Sequence, residues 1–254
     1  MTGPESQRKP DPSSLGNSGT VSAIQNCGVG VIHQAFTAEE VAIARSTVLA
    51  NYHLLKNTRP SPSSRHMASF HRFPGLEPVH TLLTGNAKVV GVLTELLGPA
   101  LRTIGMSDIT INRSQQWHKD LLRGKFSRYI EDENPCANHS GKLFKVILYL
   151  QDSASLLVIP GSHRHDIPLD NDDYAIPEES EPISRVETHV GDAVILDICT
   201  THRGSAEDAF SSLEPGDRGR ILVSTVIGAV DCRFADQMEL GVAVRMCDWQ
   251  QVNR

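Results

Sequence analysis

Beyond Gly98-Pro99 the chain changes its hydrophobic rhythm, and that change restricts the folds open to it more than any other feature of the sequence. Upstream, apolar residues recur at helical spacing. Downstream, short apolar or alternating runs at about 101–112, 143–150, 155–159, 186–190, 193–198, 220–227 and 241–246 are separated by Gly, Pro and Asp. Helices first and many short strands afterwards predict an α+β arrangement, an antiparallel β-sandwich or jelly roll with the early helices packed on one sheet. No internal repeat interrupts it.

Within that frame, residues 1–20 are rich in Pro, Gly and Ser and nearly lack large apolar side chains, so they are expected to form a disordered tail. Val29, Val31 and Ile32 predict a short strand. Thr37 and Glu40 then have capping-box spacing, and Val41, Ala44, Val48, Leu49 and Tyr52 continue as a helix of about 20 residues. Residues 58–75 read as a long loop able to fold over an entrance, and 76–97 as a second helical region stopped by Gly98-Pro99. A single domain over 21–254 is expected, with helical support at 37–98 and a β core at 100–246.

Lys plus Arg number 24 against 30 Asp plus Glu, a formal charge of −6, which argues against a nucleic-acid or anionic-membrane binder. No apolar run approaches the roughly 20 residues that span a bilayer, and no basic N-terminal segment leads into an apolar one, so a cytoplasmic address is expected. The five cysteines contain no CxxC pair and read as small buried hydrophobes.

Chemistry concentrates in Ser114-Gln115-Gln116-Trp117-His118-Lys119-Asp120, which follows a strand-like run. Strand alternation turns His118 and Asp120 to one side and Lys119 to the other. A metal would need a third ligand, and His202, just after the apolar run 193–198, is the best candidate. Two His and one carboxylate on one face of a metal leave three adjacent positions open, the arrangement of non-haem Fe(II) oxygenases. Arg220 opens the next strand, and its planar guanidinium suits the distal carboxylate of 2-oxoglutarate; Arg218 is its rival.

These residues resemble the phytanoyl-CoA dioxygenase family of Fe(II)/2-oxoglutarate-dependent oxygenases over roughly residues 100 to 230. The likeness rests on Trp117-His118-Lys119-Asp120, on Leu156-Leu157-Val158-Ile159-Pro160-Gly161-Ser162-His163-Arg164, on Gly191-Asp192 running to His202-Arg203-Gly204-Ser205, and on Arg220. It implies a cupin-like double-stranded β-helix, with His118, Asp120 and His202 as iron ligands and Arg220 as the 2-oxoglutarate anchor. It also implies Fe(II), 2-oxoglutarate and O2 as cofactor and co-substrates, and hydroxylation of a small molecule of secondary metabolism or an amino-acid-like compound. Asp120 argues against halogenation, since related halogenases carry a small residue there. The turn before the Pro-Gly-Ser-His run and the interval between Glu207 and Gly219 depart from the family pattern. The rival classes are a cupin-like metalloenzyme without 2-oxoglutarate, a non-catalytic metal-binding module, and a structural jelly roll.

Trp117, His163, Lys119 and Arg123 are further candidates for touching substrate or supporting the ligands. His163 reads either as a turn histidine with a structural hydrogen bond or as a residue approaching the pocket. Arg113, Lys119, Arg123, Lys125 and Arg128 read either as a solvated face or as attraction for a carboxylated or phosphorylated substrate. The polar stretch 121–141 is expected to be a lid.

Overall fold

The computed structural model describes residues 17–57, 61–172, 174–205, 209 and 218–252. Four helices and two strands precede the pair of strands that leads to the site. They are α1 (Asn17–Cys27), β1 (Val29–Ile32), α2 (Ala38–Ala50), β2 (Arg65–Ala68), α3 (Glu77–Gly85) and α4 (Ala87–Leu97). Then come β3 (Leu101–Thr103), β4 (Asp108–Ile111), the short α5 (Pro135–His139), β5 (Leu143–Tyr149) and β6 (Ser153–Val158). The chain closes with β7 (Ser184–Thr188), β8 (Ala193–Asp197), β9 (His202–Arg203), β10 (Ile221–Ala229) and α6 (Arg233–Val252). Among the described residues no helix is long and apolar enough to cross a membrane.

The larger, seven-stranded sheet runs β1-β8-β5-β10-β4-β2, with β3 also on β10, and the smaller runs β7-β6-β9; every pairing is antiparallel. Alternation along the strands divides the larger sheet into two faces. Ile109, Ile111, Phe144, Val146, Leu148, Ile195, Ile221 and Val223 pack with the buried side of the early helices, among them Val41, Val48, Leu83, Val89 and Leu93. Each such aliphatic side chain removed from water contributes roughly 1.5–3 kcal/mol. The opposite parity, Ile147, Tyr149, Val194 and Leu196, meets Leu156 and Val158 of the smaller sheet. The functional cavity opens on this second face.

Several expectations need correction. Residues 17–20 belong to α1 rather than to a tail, because Val21 and Ile24 bury one side of that helix and Gly28, at φ +78°, ends it by donating its N–H to the Ile24 carbonyl at 2.8 Å; residues 1–16 lie outside the described residues. The Thr37–Glu40 capping box forms, but α2 stops at Ala50. Within 58–75, β2 joins the sheet edge beside β4, and none of the described residues 61–75 lines the cavity; residues 58–60 lie outside the described residues. The region 76–97 is two helices, since Asn86 adopts an extended conformation and its side chain caps α4 by accepting from Lys88 and Val89 N–H, each at 3.1 Å. The expected strand at 241–246 is part of α6: Phe234, Met238, Val242 and Met246, buried at i, i+4 spacing, form a helical stripe.

Candidate metal centre

His118 and His202 are brought together by backbone pairing. Each donates its N–H to the other's carbonyl at 2.9 Å, which makes them directly opposed residues of an antiparallel ladder whose side chains share a face. The imidazole centroids are therefore 4.3 Å apart. Asp120 arrives two residues on, its N–H donating to the Ile198 carbonyl at 2.9 Å, with Oδ1 3.6 Å from His118 Nε2 and Oδ2 3.5 Å from His202 Nε2. All three residues are buried, and one ligand atom from each lies within 4.8 Å of the others.

The remaining ring nitrogens are already committed. His118 Nδ1–H donates to the Gln116 carbonyl at 2.8 Å and His202 Nδ1–H to the Thr200 carbonyl at 2.9 Å. These bonds fix the tautomer that leaves both Nε2 lone pairs facing Asp120, the outer support typical of metal-bound histidine. His118 Nε2 is buried with no hydrogen-bond partner. Burial, with His118 close by, pushes the His202 imidazole down to about 3, and burial lowers His118 also, so both rings are neutral at pH 7. Burial alone would raise the Asp120 carboxyl, but the Lys145 ammonium beside it holds it well below the usual carboxylate range. Neutral imidazoles and an ionised carboxylate are the protonation states a metal takes. Two nitrogens, one carboxylate and an orphaned buried Nε2 fit a divalent transition metal.

Lys145 carries the interaction that sequence reasoning missed. From β5 of the larger sheet its ammonium donates to both Asp120 oxygens, at 3.0 and 2.9 Å. A lone Lys inside the buried run Leu143–Tyr149 was the available signal. Asp108 and Arg245 were also missed. Arg245, from α6, donates to Asp108 at 3.1 Å, and His66 donates to the same carboxylate at 3.2 Å.

The cavity in front of these groups measures about 210 Å³. Lys145, Ile147 and Tyr149 of β5 line it on one parity, as do Arg220, Leu222 and Ser224 of β10 and its approach. Arg220 is partly buried. Its Nη1 donates to Ser155 Oγ at 2.9 Å and its Nη2 to the Arg113 carbonyl, and burial lowers its pKa. Arg218 lies elsewhere, its guanidinium 4.3 Å from the Tyr52 ring centroid. Lys119 touches the cavity wall, but its ammonium donates to the Ser162 and His165 carbonyls at 3.1 and 3.0 Å. Arg123 lines the cavity above Tyr174, 4.4 Å from the ring centroid.

Two candidates stand apart from the cavity. Trp117 packs against Ile159, Ile167 and Ala175 beneath the Arg203 guanidinium. His163 donates to the Gln25 carbonyl at 3.3 Å, behind the site. The basic cluster divides likewise: Arg113 and Arg123 line the cavity, Lys119 turns its ammonium to the Ser162 and His165 carbonyls, exposed Lys125 pairs with Asp248, and Arg128 donates to Tyr129 Oη at 2.7 Å. In 121–141, Leu121, Leu122 and Phe126 form part of the cavity wall, and the 3-10 turn Gly124–Tyr129 rests on α6. The Glu207–Gly219 interval lies almost wholly outside the described residues.

No protein-family model matches the chain, and no curated protein sequence does. Solved structures do match in fold. The epimerase SnoN, in complex with Fe3+, alpha ketoglutarate and nogalamycin RO, superposes with a TM-score of 0.62 at 16% identity, covering 89% of this chain and 90% of that one. The non-haem alpha ketoglutarate-dependent carbocyclase SnoK from nogalamycin biosynthesis gives 0.62 at 16% identity over 86% of each chain. HygX from Streptomyces hygroscopicus, with nickel, 2-oxoglutarate and hygromycin B bound, gives 0.55 at 19% identity over 84% of this chain and 87% of that one. At these identities the likeness is one of fold.

Proposed function

We propose that this chain is an Fe(II)- and 2-oxoglutarate-dependent oxygenase that oxidises an unactivated C–H bond of a small molecule, hydroxylation being the primary outcome. The family it fits is that of phytanoyl-CoA dioxygenase, on a double-stranded β-helix in a single catalytic domain over 21–254, and secondary metabolism is the expected setting. The observation that carries the reading is the buried His118–Asp120–His202 group with both Nδ1 atoms engaged by backbone carbonyls. The fold neighbours, solved with iron or nickel and 2-oxoglutarate, support it.

His118, Asp120 and His202 would hold the metal, and the cavity they face would receive 2-oxoglutarate and O2. Bound there, metal and co-substrate would supply the oxidation, with O2 as oxidant and succinate and CO2 as the products of 2-oxoglutarate. Arg220 grips the distal carboxylate of 2-oxoglutarate, its own orientation fixed by Ser155 and the Arg113 carbonyl. Leu121, Leu122 and Phe126 exclude water from the reacting centre.

The test is an anaerobic titration with Fe(II) and then 2-oxoglutarate, followed by the visible metal-to-ligand charge-transfer band. The unmutated protein develops the band; Asp120→Ala abolishes it, Arg220→Ala shifts it to much higher 2-oxoglutarate concentration, and Arg218→Ala leaves it in place. Absence of the band in the unmutated protein overturns the proposal. An activity indifferent to Arg220→Ala favours a metalloenzyme that does not use 2-oxoglutarate.

A further inference from the structure

The cavity wall is strongly cationic. Among the described residues, Arg113, Arg123, Lys145, Arg220 and Arg245 line it against Asp108 and Asp120, a formal surplus of three positive charges in a chain whose overall charge is −6, with the Lys119 ammonium turned to the Ser162 and His165 carbonyls. A divalent metal adds two positive charges and 2-oxoglutarate returns two negative ones, so the surplus survives loading. Basic residues on the neighbouring surface are treated differently. Lys125 pairs with Asp248, Arg233 with Glu131, and Arg102 with Asp236 and Glu239.

Arg123 has the position of a recognition group. It lies on the cavity wall, three residues beyond Asp120, in the segment that rests on α6. Among the described residues it makes no hydrogen bond or ion pair; its one contact of this kind is the face of Tyr174. Stacking on an aromatic ring orients a guanidinium while leaving its in-plane N–H donors available. Leu121, Leu122, Phe126 and Ile147 provide apolar wall beside it.

We infer that the substrate of this site is a small anion with an apolar body, and that Arg123 meets its carboxylate or phosphate group while the apolar wall receives the remainder. The inference rests on the oxygenase reading and names the substrate class for it. A charged wall in a confined cavity concentrates ligands of opposite sign, and a guanidinium recognises either oxyanion with paired charge-assisted hydrogen bonds. Arg123 thereby sets specificity and takes no part in holding metal or 2-oxoglutarate.

Calorimetric titration of the full chain, loaded with Ni(II) and saturating 2-oxoglutarate, tests this with four matched probes: 3-phenylpropionate, 2-phenylethyl phosphate, 3-phenylpropanol and 3-phenylpropylamine. Saturation keeps the carboxylate probe from Arg220 and the metal. Both anions, or one of them, are expected to bind about tenfold or more tightly than the alcohol and the amine; which anion binds better separates carboxylate from phosphate. Arg123→Gln is expected to erase that margin without changing the affinity of the alcohol. Equal binding of the four, preference for the amine, no anion binding at millimolar concentration, or a margin that survives Arg123→Gln overturns the inference. Ni(II) and 2-oxoglutarate binding is read first: its failure counts against the oxygenase reading, whereas successful loading followed by indifference to charge counts against the anion alone.

Discussion

Replacing Lys145 by Met separates Asp120, the proposed metal ligand, from its counter-charge with little change in side-chain length. In the metal-free protein the pair is nearly enclosed, Lys145 being 12% and Asp120 5% exposed, and the ammonium reaches both carboxylate oxygens. Removing one member of a buried pair leaves the other uncompensated, at about 3–5 kcal/mol. The open cavity beside Lys145 favours the lower figure, so metal-free Lys145→Met is expected to lose about 3 kcal/mol in urea unfolding. A divalent ion at Asp120 supplies the missing positive charge. The metal-loaded variant therefore recovers most of the loss, and by linkage the same free energy is returned as metal affinity. Calorimetry with Ni(II) is expected to find the metal bound about ten- to a hundred-fold more tightly by Lys145→Met than by the unmutated protein, since 1.4 kcal/mol is tenfold. Asp120→Asn removes the carboxylate that both cations share, so adding Lys145→Met to it is expected to produce no such tightening. Unchanged or weaker metal binding by Lys145→Met refutes the reasoning, because it means that Lys145 and the ion do not compete for one carboxylate.

Two other perturbations probe what surrounds the centre. A Cβ on Gly241 of α6 lands 2.2 Å from the Phe126 carbonyl oxygen and 2.3 Å from Leu122 Cδ1, so Gly241→Ala is expected to displace the 122–126 segment at about 1–3 kcal/mol and expose it to limited proteolysis; a cleavage pattern like that of the unmutated chain counts against the packing role. Burial, with Arg113 adding to it, pushes His66 down to about 4. Above pH 6.5 its imidazole is neutral folded and unfolded, whereas between 6.5 and 4 only the unfolded chain takes up the proton, so stability is lost as pH falls through that window. At pH 5 the loss from His66 is about 2 kcal/mol, and His66→Gln is expected to flatten the pH dependence of urea unfolding by that amount; an undiminished slope refutes the assignment.

The convergence of His118, Asp120 and His202 was legible because His and Asp at strand ends are unusual residue types whose alternation can be read directly: His118 and Asp120 share a side, and Arg220 shares parity with Leu222 and Ser224. Which of Arg220 and Arg218 lines the cavity was not legible, since both precede the same strand and only the Tyr52 ring under Arg218 separates them. Lys145 escaped because its meaning lies in a carboxylate 25 positions away, which no local pattern connects to it. The errors at the two ends have different causes. In 241–246 a few β-branched and small residues alternate like a strand, and the helical stripe is visible only across the whole of Arg233–Val252. In α1, composition pointed to a tail, while burial of Val21 and Ile24 against the sheet outweighs poor helix formers.

The Pro160-Gly161-Ser162-His163 turn contributes no ligand, yet its place in the chain follows from the geometry of the centre. The distance between the two imidazoles depends on the pairing of His118 with His202, and a slip of one residue would turn one ring to the opposite face. That pairing is only a single bridge long, too short to fix its own register. The turn fixes it from both sides: Thr201 N–H donates to Ser162 Oγ at 2.8 Å, Ile159 N–H donates to the Thr201 carbonyl at 3.0 Å, and Lys119 donates to the Ser162 carbonyl. Ser162 is wholly buried and its hydroxyl donates to the Ile159 carbonyl at 2.7 Å, so the turn cannot shift without orphaning several polar groups at once. Lys119 and Thr201 are the direct neighbours of His118 and His202. The motif between the ligand-bearing segments is therefore a clamp on their register, which gives a physical reason for the three motifs to occur together in one chain.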